Sequence, residues 1–118
     1  MTNSSACRMH RDGSWLIITP AGYLNDQAGA SLNALFKSSD LSGIKVVLFD
    51  FGEALIVNSQ GIACLLDNCD ALIEERQMKI AFCRMPPLIR EAFSLVGLLE
   101  MVSAHGTEQE ARSAIGHG

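Results

Sequence analysis

Val46-Val47-Leu48-Phe49 is the feature that most limits how this chain can fold, because four apolar β-formers follow one another with no polar residue between them. Successive side chains of a strand point to opposite faces, so a strand of this kind has no face for water. It belongs inside a sheet that carries helices on one or both sides. Ile80-Ala81-Phe82-Cys83, entered from Lys79, repeats the pattern and reads as a second interior strand. With 118 residues, 48% of them apolar, the chain can bury one such core and is too short for two ordinary domains.

The elements around these strands follow from periodicity and turn chemistry. Asp12-Gly13 is a tight-turn signal ahead of Trp15-Leu16-Ile17-Ile18-Thr19, so Cys7 to Arg11 and Trp15 to Ala21 are expected to form a hairpin, which Gly22 ends. Asn25 and Asp26 can cap a helix over Asp26 to Ser38, where Ala28, Leu32, Leu35 and Phe36 recur at helical spacing. After the central strand, a loop over Asp50 to Val57 leads to a second helix that runs to about Arg76. Its apolar face is Ile62, Leu65, Leu66, Cys69, Leu72 and Ile73.

Pro86-Pro87 suits the first turn of a third helix with Ile89, Ala92, Phe93 and Val96 inward and Gly97 as its stop. Leu99 to Ser103 reads as a short edge strand, and Thr107-Glu108-Gln109-Glu110 has the form of a capping box for a last helix. The order β-β-α-β-α-β-α-β-α specifies an α/β domain with a mixed, mostly parallel sheet. Residues 1–6 are expected to be a loose tail, 7–115 the domain, and 116–118 a C-terminal tail.

Several chemistries are excluded by composition. The formal net charge is -4 and the nine Lys and Arg residues are scattered, so no basic stripe invites nucleic acid. Cys7, Cys64, Cys69 and Cys83 form no C-x-x-C pair and lie far in sequence from His10, His105 and His117. Buried reduced thiols are therefore expected rather than a metal or redox centre. No run approaches the length of a membrane span and no apolar leader opens the chain, which makes a cytoplasmic protein the expectation. Met78, Met85, Met101 and Trp15 read as core residues.

There is no nucleotide-binding G-x-x-x-x-G-K-[ST] loop and no G-x-S-x-G elbow to make Ser59 a nucleophile with His105 and Asp50. A receiver domain phosphorylated on Asp50 would need an acidic pair after the first strand, which is missing. The chain is expected to be no enzyme and to hold no cofactor.

Asn58-Ser59-Gln60-Gly61 stands between the apolar run Leu55-Ile56-Val57 and the second helix, which places a hydroxyl at a helix start. Asn and Ser are common N-caps, and the same unpaired N–H groups and partial positive charge tolerate a phosphate. Gly61 costs about 1 kcal/mol against alanine early in a helix, so a close approach to a neighbouring loop is the expected reason for it.

Three motifs in order carry a resemblance. Gly22-Tyr23-Leu24-Asn25-Asp26 is similar to the G-x-L-D turn of the STAS domain family, Asn58-Ser59-Gln60-Gly61 to its D-S-x-G, and Phe93-Ser94-Leu95-Val96-Gly97-Leu98 to its F-x-x-x-G-L. Within that family the chain resembles the bacterial anti-sigma factor antagonists, over about Cys7 to Ile115. Asn58 stands where the family has Asp, and Gln60 replaces a second small hydroxyl residue.

The resemblance implies a single STAS-like domain with a four- to five-stranded sheet and about four helices. It implies a partner that is an anti-sigma factor with serine kinase activity, which carries ATP and magnesium itself. The unphosphorylated chain would bind that partner and free a sigma factor, and phosphorylation of Ser59 would end the binding. Tyr23, Asn25, Asp26, Asn58, Gln60 and Gly61 would border the docking face. A homodimer is among the assemblies the resemblance allows. The other role it allows is a STAS module that is never phosphorylated and serves as a scaffold in a signalling assembly or as an accessory subunit of a membrane transporter.

Overall fold

In the computed structural model, which describes residues 7–116, the two apolar runs lie side by side as parallel strands. They are β4 (Val46–Asp50) and β6 (Lys79–Cys83), the central and next strands of a five-stranded sheet ordered β1-β2-β4-β6-β7. The other members are β1 (Cys7–Asp12), β2 (Trp15–Pro20) and β7 (Ser103–His105). Only β1 is antiparallel to its neighbour. All five residues of β4 are buried, as the unbroken apolar run requires.

Alternation along the strands divides the core in two. On one face Leu16, Ile18, Val47, Phe49, Ile80 and Phe82 meet three helices: α1 (Asp26–Ser38), α2 (Ser59–Arg76) and α3 (Pro87–Leu95). Phe51 packs edge to face on Phe82 and Phe93 there, with ring centroids 4.9 and 5.2 Å apart, and Phe82 and Phe93 meet tilted at 5.6 Å. On the other face Trp15, Ile17, Val46, Leu48, Ala81 and Cys83 meet Ala111 and Ile115 of α4 (Glu108–Ile115). Arg112 of α4 lies 4.9 Å over the Trp15 ring and is paired with Asp12 and Glu108.

The hairpin, the first two helices and the capping box lie where the sequence puts them. β1 and β2 pair with Asp12 opposite Trp15, which leaves Gly13-Ser14 as a two-residue turn with Gly13 at φ +63°. Pro87 opens α3, and Gly97 follows its end at φ +79°. Thr107 accepts from Glu110 N at 3.0 Å at the start of α4.

Four expectations need correction, the first being Val96, which caps the end of α3 at 47% exposed instead of facing inward. Gly22 does not end strand structure, because Gly22–Leu24 forms β3; the expected loop over Asp50 to Val57 contains β5 (Ala54–Val57), and the two pair in parallel as a separate small sheet. The apolar stretch after α3 is not a strand from Leu99. It folds as a 3₁₀ turn (Leu98–Glu100), with Leu99, Met101 and Val102 packed on the core, and β7 begins only at Ser103. The two extra strands make the order β-β-β-α-β-β-α-β-α-β-α. The tails expected at 1–6 and 116–118 lie outside the described residues except for Gly116, which closes α4 by donating to Arg112 O at 2.9 Å.

Candidate docking and phosphorylation site

The small sheet is what assembles the site. β3 and β5 run in parallel, with Tyr23 beside Ile56 and Leu24 beside Val57, and each strand turns at once into a helix. The starts of α1 and α2 therefore stand next to each other. Each is capped by an asparagine: Asn25 Oδ1 accepts from Ala28 N at 3.0 Å, and Asn58 Oδ1 accepts from Gly61 N at 2.8 Å.

Further bonds lock the two starts together. Asn58 N donates to Leu24 O at 3.1 Å, and Asn58 Nδ2 donates to Tyr23 Oη at 3.2 Å. Gly61 is buried, and a Cβ there would stand 2.0 Å from Leu24 O and 3.1 Å from Asn25 N. This glycine is needed because the first turn of α2 rests directly on the backbone that leads into α1. One turn deeper, Gly29 of α1 lies against Cys64 of α2.

Six of the seven residues singled out in the sequence thus fall on these two helix starts, and Tyr23 stands just before the first, on β3. Ser59, Gln60 and Asp26 are exposed, Tyr23 is 43% exposed, Asn25 and Asn58 are half-buried, and Gly61 lies beneath them. Ser59 is the first residue of α2, and the helix macrodipole favours a negative charge at that end.

Two residues at the site were missed. Leu55 and Ile56 of β5 are 77% and 56% exposed, an uncommon position for large aliphatic side chains, and they lead directly into Asn58-Ser59. The signal was the apolar run Leu55-Ile56-Val57 inside a segment expected to be a loop.

Asp50 is occupied elsewhere. Its Oδ1 accepts from Arg84 Nε and from Gly52 N, both at 2.9 Å, at the end of β4. The Arg84 guanidinium is held further into its charged range by this hydrogen bond and by the charge of Asp50. Beside it Arg8 makes two bonds to Glu53, at 3.0 and 2.6 Å, and the first effect of this contact is to hold the Glu53 carboxyl below its usual range. His105 lies on the edge strand β7, 3.1 Å from Ser103 Oγ. Among the described residues neither Asp50 nor His105 is hydrogen bonded to Ser59, and no cluster of three His, Cys, Asp or Glu could hold a metal ion. Cys69 and Cys83 are buried, Cys7 and Cys64 half-buried, and all four are free thiols.

The sheet order and the four helices are those of the SpoIIAA-like α/β fold, which solved anti-sigma factor antagonists share. No protein-family model matches the sequence, and no curated protein matches it. Among solved structures the chain is similar to the anti-sigma factor antagonist SpoIIAA in its unphosphorylated form, at 19% identity and a TM-score of 0.76, covering 93% of this chain and 96% of that one. The Bacillus cell fate determinant SpoIIAA in its phosphorylated form matches at 20% identity and a TM-score of 0.71, over 93% and 99% of the two chains. An anti-sigma factor antagonist from Mycobacterium paratuberculosis matches at 16% identity and a TM-score of 0.73, over 95% and 94%. The murine anion transporter Slc26a9 shares the fold at 16% identity and a TM-score of 0.68, with 89% of this chain matching 18% of the transporter. At these identities the likeness is one of fold.

Proposed function

We propose that this chain is an anti-sigma factor antagonist whose docking face is the pair of helix starts, and that Ser59 is its phosphorylation switch. The observation that carries the reading is an exposed serine at the first position of α2, bordered by exposed Leu55, Ile56 and Tyr23. A partner that covers this apolar surface must also remove water from Ser59. The partner is an anti-sigma factor with serine kinase activity, which brings ATP and magnesium and releases a sigma factor when it binds the unphosphorylated chain.

The switch follows from charge and solvation. A phosphoserine adds about -1.5 to -2 charges and three acceptor oxygens. In the free domain water and the α2 dipole stabilise that charge, whereas a docked apolar partner must strip its water away. A differential of about 3 kcal/mol weakens binding more than a hundredfold. The likeness to SpoIIAA, solved in both unphosphorylated and phosphorylated forms, supports this reading.

Mass spectrometry of the protein recovered from its own cells tests it. Phosphate on Ser59 and a co-purifying ATP-dependent serine kinase are expected; an unmodified Ser59 under all growth conditions would remove the switch.

A second reading is favoured by one residue. Asn58 stands before Ser59, and a STAS module that is never phosphorylated, built into a signalling scaffold or attached to a transporter as its accessory subunit, needs no kinase recognition there. The shared fold with part of Slc26a9 is in keeping with that role. Ser59→Asp separates the two: it breaks partner binding in the first reading and leaves it intact in the second.

A further inference from the structure

The side-chain amide of Asn58 has one orientation that suits both of its neighbours. Oδ1 must face the Gly61 N–H, 2.8 Å away, because a main-chain N–H can only donate. Nδ2 then faces Tyr23 Oη at 3.2 Å, and an amide nitrogen can likewise only donate. Tyr23 Oη therefore receives a hydrogen bond from within the domain and keeps its own proton to give elsewhere. The residue is 43% exposed, so that proton is offered to solvent or to a partner.

An aspartate at this position would cap α2 equally well, since its carboxylate also accepts from the Gly61 N–H. It could not donate to Tyr23. The hydroxyl would turn inward and give its proton to the carboxylate, leaving only lone pairs on the outward side of Oη. The identity of one residue thus decides whether this point of the surface is a donor or an acceptor.

We propose that Asn58 sets the hydrogen-bond polarity of the docking face: it holds Tyr23 as an outward donor and so selects a partner that presents a carbonyl or carboxylate oxygen there. The proposal rests on the docking reading above and adds to it the chemistry of the partner's contact. A partner with a donor at that point would leave two protons facing each other, each without an acceptor on burial, which is a stronger rejection than a missing bond.

Tyr23 is the only tyrosine of the chain, so the tyrosine doublet of the Raman spectrum, whose intensity ratio depends on whether the hydroxyl donates or accepts, reports on this residue alone. Asn58→Asp is expected to move the ratio toward that of a tyrosine donating to an anion, with the thermal midpoint unchanged. In calorimetric titration against the organism's purified anti-sigma factor kinase, Asn58→Asp and Tyr23→Phe are each expected to weaken binding about tenfold, and the double variant no further than either alone.

A doublet that does not move in Asn58→Asp overturns the proposal, whatever the partner does. A doublet that moves while both single variants keep full affinity overturns it too. If a phosphoserine at position 59 still abolishes binding in that case, the switch reading survives without it. Additive losses in the double variant would show that the aspartate acts by charge and not through Tyr23, which also contradicts the proposal. A kinase that binds no form of the chain removes the docking reading and the proposal together.

Discussion

Gly61 carries the closest contact of the site, and its replacement shows what the close approach is worth. A Cβ at 2.0 Å from the Leu24 carbonyl oxygen has no soft neighbour to displace, since the obstacle is backbone. Alanine would gain about 1 kcal/mol of helix propensity, yet Gly61→Ala is expected to cost ~2–4 kcal/mol net because α2 must move off β3. Chemical denaturation measures this, and a neutral or stabilised variant would show that the two helix starts are not in contact. Asn58→Ala is expected to cost about 1 kcal/mol for its lost cap, whereas Ser59→Ala, at an exposed position without a side-chain bond among those described, should stay within about 0.5 kcal/mol. At this scale the sequence was informative, because asparagines and a glycine at a helix start have few uses. The bond between Asn58 and Tyr23 was not legible, since it joins residues 35 positions apart.

Among the elements, α1 is bounded as the sequence indicates, and β4 needs no context beyond its own four apolar residues. β3 and β5 were hidden for a physical reason. They have three and four residues, their partners are distant in the chain, and β5 exposes two consecutive aliphatics instead of alternating. Neither strand shows a period, so only the pairing reveals them. The same pairing brings Leu55 and Ile56 to the candidate docking face. The position of β7 was obscured because Leu99, Met101 and Val102 are apolar for packing on the core rather than for pairing with β6. Gly29 tests the contact between α1 and α2, as its Cβ would lie 2.4 Å from Cys64 Cβ. Gly29→Ala is expected to destabilise by ~1–3 kcal/mol and to weaken partner binding, since it spreads the two helix starts apart. A variant of unchanged denaturation midpoint would contradict that packing.

Across the whole molecule, the thiols set the alkaline limit. Burial pushes Cys7 up to about 11 and Cys69 and Cys83 up to about 12, against 9.0 for a free thiol. The folded chain keeps protons that the unfolded chain has lost, so stability is complete below about pH 9 and falls as pH rises toward 11 or 12. The urea midpoint should decline over that window; a flat profile would mean that the thiols ionise as readily when folded. On the acid side the exposed Glu53 and Asp40 have lowered carboxyl values, through Arg8 and Ser42 respectively, and their contributions are present above the usual carboxylate range and lost as pH falls through the folded values.

The molecule places an exposed serine at a helix start that follows the exposed Leu55 and Ile56 of a small parallel sheet, and the central claim is that phosphate on that serine ends docking. Isothermal titration of the purified anti-sigma factor kinase against the chain carrying either serine or phosphoserine at position 59 tests this most directly. The unmodified chain should bind at least about a hundredfold more tightly than the phosphorylated one; equal affinity for the two forms would contradict the account.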